Sequence, residues 1–162
     1  MRAVSREWIE ERNQKLLEWF KGDRQALEFL LLLSDITETW DDLIDRDRPV
    51  SEEEIHGAFM KALLILPMHP FYMKHFSYLF PIMNQAVNSW LDANDLVRRG
   101  NNGKRYAFVL RNMDIQIAQA IAYLVGGWEH MRQVSAEMWD YFGVKQDDYE
   151  EWVAEGSHEL RE

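Results

Sequence analysis

Apolar residues recur at three- and four-residue intervals through most of the chain, and no stretch alternates apolar and polar positions for more than a few residues. That pattern predicts helices and no sheet. Ser5 is placed to cap a first helix carrying Trp8, Ile9, Leu16, Trp19 and Phe20 on one side, and Gly22-Asp23 ends it and caps the next. The second helix, residues 24–45, is apolar on all sides at Leu27 and Phe29 to Leu33, as a central helix would be. After a loop over 46–50, Ser51 and Glu54 form a capping box that opens a third helix through Leu66. Pro67 and Pro70 break it, and a fourth helix follows over 71–99 with a kink expected at Pro81. Gly100-Asn101-Asn102-Gly103 reads as a loop, a fifth helix as 104–125, Gly126-Gly127 as an interruption, and a sixth helix as 128–142. The expected fold is an all-α compact helical bundle of five to six helices over 1–143, with an acidic helical tail over 144–162.

Composition narrows the classes of function. The 162-residue chain is 47% hydrophobic, enough for a real core, so wholesale disorder is excluded. With no cysteine there is no disulfide scaffold, thiolate metal site or cysteine nucleophile. A net charge of −10 argues against general nucleic-acid binding, which needs a surplus of Lys and Arg. No apolar run approaches the ~20 residues of a membrane span. The opening MRAVSREWIEERNQ lacks the apolar centre of a signal peptide. A soluble protein of the cytoplasm, bacterial or phage-infected, is the expectation.

The charge is unevenly spread. Residues 35–54 hold nine acids and two arginines, residues 96–111 hold five bases and no acid, and the tail from Lys145 holds seven acids and two bases. Asp35, Glu38, Asp41, Asp42 and Asp45 crowd the end of the second helix. Four of them (all but Asp41) fall within an arc of about 80°, opposite Ile36, Trp40, Leu43 and Ile44. Carboxylates on one side of a helix C-terminus repel one another and oppose the macrodipole. A divalent cation such as Mg²⁺ would offset that cost, and so would Arg46, Arg48 or a neighbouring helix. On the fourth helix Asn84, Asn88 and Asp92 recur at i, i+4, i+8, a second oxygen-rich stripe that together with the first allows a two-helix cation site. Arg98, Arg99, Lys104 and Arg105 flank GNNG, and Arg111 follows; a loop before a helix N-terminus with flanking bases can grip phosphate or form a solvated patch. Arg105, Asn112, Gln116, Gln119 and Tyr123 make a polar stripe that either lines a cavity or bonds to neighbours. Glu53-x-x-His56 and Glu155-x-x-His158 share the ExxH spacing of di-iron bundles, yet Glu53 is a first-turn acid and His158 lies in the tail.

Asp41-Asp42-Leu43-Ile44-Asp45 has the form DDxxD and, with Asn84, Asn88 and Asp92, resembles the two metal motifs of class I terpenoid synthases. That resemblance implies an all-α bundle in which Asp41, Asp45, Asn84, Asn88 and Asp92 chelate Mg²⁺ and Arg98, Arg99 or Arg105 binds a prenyl diphosphate. Glu7-x-x-Glu10 with Glu38-x-x-Asp41 also looks like the split acidic motif of all-α nucleotide pyrophosphatases, which implies Mg²⁺-dependent hydrolysis of a nucleotide. The texture of WDDLIDRDRPVS, LPMHPFY and YLVGG resembles uncharacterised tailed-phage proteins. Two functions follow as expectations: a Mg²⁺-dependent enzyme acting on a small diphosphate-containing substrate, or a non-enzymatic acidic protein that binds a basic protein surface. A structural subunit of an assembly is a third. Aromatic-rich helices also suit a homodimer.

Overall fold

The computed structural model describes residues 5–46, 48–99, 102–142 and Glu150. Among them there is no strand, and the all-α class expected from periodicity is observed. The described residues fall into two compact units. The first lies within Met1–Ser77 with Leu124–Gly126, the second within Tyr78–Tyr123 with Gly127–Glu162. The predicted tail over 144–162 falls outside the described residues except for Glu150.

In the first unit, α1 (Arg6–Trp19) begins where Ser5 Oγ accepts the Trp8 N–H at 3.1 Å, and α2 (Arg24–Asp45) where Asp23 Oδ1 accepts the Ala26 N–H at 3.0 Å. Each such cap satisfies a backbone donor that the helix itself cannot, a contribution of ~1 kcal/mol. The chain reverses between them through Lys21 and Gly22, both at positive φ, with the Gly22 N–H donating to Leu17 O at 2.8 Å. Arg46 closes α2 in the left-handed conformation, its N–H donating to Asp42 O at 3.1 Å. α3 (Glu52–Met60) opens on the predicted capping box, with Ser51 and Glu54 each accepting from the other's backbone. It runs on into a π-helical turn, Lys61–Ile65, closed by Leu66 N–H to Lys61 O at 2.8 Å.

α2 is central in this unit, as its all-round apolarity implies. It packs on α1, on α3 and on the π turn, and it buries Ala26, Phe29, Leu30 and Leu33. Phe29 is wholly buried, with its ring stacked on Tyr72 at 5.7 Å and close to Phe71 and His69. Tyr72 and Phe71 come from the start of α4 (Pro70–Arg99), whose first residue is a proline, the position where a missing N–H costs nothing. The bend in α4 falls at His75 (φ −115°, ψ 17°) and not at Pro81, which stays inside the helix.

The second unit holds the rest of α4, α5 (Asn102–Leu110) and most of α6 (Asp114–Phe142). The predicted helix over 104–125 is divided by a turn at Arg111–Met113, where the N–H groups of Asn112 and Met113 bond three residues back. Asn112 and Asp114 favour such local bonding over helix interior, and the Asn112 amide donates to Phe108 O at 2.8 Å. The predicted interruption at Gly126-Gly127 is present as Gly127 at φ 78°, ψ −176°, a conformation open to glycine, with helix on both sides. Leu79, Ala93, Ala107, Ile115, Ile121 and Met138 are buried. Among the described residues no helix is long and apolar enough to cross a membrane.

Candidate functional site

The acidic end of α2 is the most structured polar region of the first unit. Asp42 is buried to 8% exposure although it is charged, and Arg48 explains how. The guanidinium reaches Asp42 Oδ2 at 2.5 Å with one amine and Glu54 Oε1 at 2.8 Å with the other. Glu54 in turn accepts from the Ser51 N–H and hydroxyl, both at 2.8 Å. These bonds stabilise the ionised form and hold the Glu54 carboxyl at a pKa of about 2, the Ser51 backbone donor first, then the Ser51 hydroxyl and Arg48. The capping box of α3 and the end of α2 are thus tied through one arginine in the loop between them. A shallow depression of about 280 Å³ lies there, lined by Asp42, Leu43, Arg46, Arg48, Pro49 and Val50.

One turn and more upstream, Asp35 is ion-paired with Lys61 of the π turn. Glu38 sits between these two pairs. Desolvation raises its pKa; Arg12 of α1 opposes the rise, and Asp35 and Asp42 add to it. Asp45 is exposed and Asp41 half-buried. Trp40, Leu43 and Ile44, on the side of α2 opposite the acids, are 38%, 37% and 49% exposed, because the core side of α2 ends near Leu33. The signal was the shift from Leu-rich to Thr- and Asp-rich sequence after Leu33. Glu7 and Glu10 are exposed on α1, and Glu10 pairs with Arg6 at 3.0 Å.

Asn84, Asn88 and Asp92 belong to the second unit and are exposed on α4, with the Asn88 amide donating to Asp92 at 3.0 Å. The predicted phosphate-binding bases all belong to that unit. Arg98 pairs with Asp95 at 3.0 Å, and Arg111 donates to Asn94 Oδ1 at 2.8 Å. Arg99 and Arg105 are exposed, and Lys104 is half-buried. Gly103, read from sequence as part of a phosphate-binding loop, has a packing reason to be glycine. A Cβ there would lie 2.4 Å from the backbone oxygen of Leu96. The polar stripe on α6 bonds within the unit, with Gln119 donating to Ser135 O at 3.4 Å and Tyr123 stacked on Tyr78 at 5.3 Å. Among the described residues no group of three or more His, Asp or Glu side chains is arranged to hold a metal ion.

Chemically, the end of α2 offers internal charge neutralisation and an exposed aromatic and aliphatic flank. No protein-family model, curated protein or solved structure matches the chain.

Proposed function

We propose that the protein is a non-enzymatic helical interaction protein, and that the acidic end of α2 receives a basic surface of a protein partner. One observation supports this most. The carboxylates of Asp35 and Asp42 are already engaged by the chain's own Lys61 and Arg48, while Trp40, Leu43 and Ile44 stand exposed beside Asp45. Exposed apolar side chains on a helix end that also carries carboxylates combine an anchor with electrostatic steering toward a basic partner. The net charge of −10 disfavours a phosphate backbone as that partner.

A second reading retains Mg²⁺ and a diphosphate-containing substrate. It draws on the crowding of Glu38 by Asp35 and Asp42, which a bound cation would relieve. Two measurements separate the readings. The wild-type chain should retain a partner that is released as salt rises from ~0.05 to ~0.5 M, and Asp41→Lys/Asp45→Lys should lose that partner, with EDTA having no effect. Equal retention by both chains refutes the interaction reading. So does a rise in Tm with Mg²⁺ or Mn²⁺ that Asp42→Asn abolishes.

A further inference from the structure

A helix that packs one side on a neighbour ordinarily turns a polar side to water. The segment from α3 through the π turn departs from this over its second half. Ile55, Ala58, Ala62 and Leu66 lie within an arc of about 80°; they are partly or fully buried, on a segment that packs on α2. On the other side Phe59, Met60, Leu63, Leu64, Ile65 and Met68 are each between 50% and 68% exposed. Side chains of this size left half to two-thirds in water present roughly 100 Å² each, so roughly 600 Å² in all. That is at the top of what a monomer ordinarily leaves exposed, and close to the ~800 Å² that each partner contributes to a stable interface before any rim residue is added. The wide turn Lys61–Ile65 lies within this face, and π turns concentrate at functional positions.

The charge around the face says what covers it. The chain carries 28 acids, yet from Ile55 to Ser77 there is no Asp or Glu, and Lys61 and Lys74 are the charged residues of the tract. On a protein of net charge −10, an acid-free apolar face is where two copies can approach without repulsion. The first turn of α3 is acidic at Glu52, Glu53 and Glu54. An antiparallel two-fold pairing sets that turn of one copy toward the acid-free end of the other, so that acidic turns do not meet across an isologous contact. A lipid surface fits less well, because helices that lie on membranes carry Lys and Arg along their rims and an anionic leaflet repels this chain.

We propose that the outer face of α3 and the π turn is a two-fold dimer interface between copies of this chain. It extends the interaction reading to a second surface, and the two can fail separately, since Asp41→Lys/Asp45→Lys should still dimerise. Sedimentation equilibrium of the full chain over ~1–100 μM tests it, beside Leu63→Lys/Leu64→Lys, which alters only exposed side chains. The wild type should approach twice the 19.3 kDa chain mass and the variant should remain at that mass, with equal helical circular dichroism. A wild type monomeric throughout overturns the proposal, and so does a dimer that the double lysine variant leaves intact. Sedimentation of a monomeric wild type with phosphatidylcholine–phosphatidylserine vesicles, lost in the variant, assigns the face to lipid and overturns it as well.

Discussion

Two glycines in helices should respond to the same substitution with opposite signs. Gly57 lies inside α3, and a Cβ built there meets nothing within 4 Å. Alanine at that position gains the helix preference that glycine lacks and restricts the unfolded chain, so Gly57→Ala should stabilise by about 0.5–1 kcal/mol. Gly103 sits in the first turn of α5, where the new methyl would stand 2.4 Å from Leu96 O and 3.2 Å from Leu96 C. Ordinary contact begins about a full ångström further out, and the obstacle is helix backbone that cannot rotate away as a side chain could. α5 must therefore back off α4, and the overpacking cost of about 1–3 kcal/mol exceeds the same propensity gain. Gly103→Ala should destabilise by a net ~1–2 kcal/mol. Urea unfolding of both variants and the wild type, followed by far-UV circular dichroism, measures the pair. The expected result is a midpoint above wild type for Gly57→Ala and below it for Gly103→Ala, at unchanged slope. A Gly103→Ala midpoint at or above that of wild type would refute the close approach of α5 to α4.

Two pH dependences follow from the site and the core. Glu54 is held at about 2 against an ordinary 4.5, so its folded pKa is depressed; its contribution is complete above ~5 and disappears as pH falls toward 2. Stability measured across that window should lose part of its slope in Glu54→Gln, and an unchanged slope would show that the Ser51 and Arg48 bonds do not persist in solution. His69 packs on Phe29, its Nδ1 is buried without a hydrogen-bond partner among the described residues, and desolvation lowers its pKa against a small opposing pull from Glu28. The unfolded chain therefore takes up a proton more readily, and stability should decline as pH drops below ~6.5. His69→Phe should flatten that decline, and a profile identical to wild type would place the loss elsewhere.

The local elements were legible because they rest on local physics. The caps at Ser5, Asp23 and Ser51 and the break at Gly127 follow from side-chain oxygens three residues from an orphan N–H and from a backbone angle that only glycine takes easily. The centrality of α2 followed from its apolar circumference. The division of the predicted fifth helix at Arg111–Met113 was hidden, since apolar spacing continues across it and only the competition from Asn112 and Asp114 marks the turn. The bend at His75 was hidden because neither a glycine nor a proline marks that position.

Of the candidate site, the sequence by itself determined which residues carry charge and that five carboxylates share the end of one helix. Tertiary structure decided what those charges meet. Lys61 lies 26 residues from Asp35, and Arg48 joins Asp42 to Glu54 across a loop. Periodicity has no access to such pairings, because it reports which side of a helix a residue occupies and not which chain segment comes to that side. The same limit applies to α3 and the π turn. Their apolar spacing marks a helix, but only the packing of this segment on α2 determines that Ile55, Ala58 and Ala62 are covered and Phe59, Met60, Leu63 and Leu64 are left exposed.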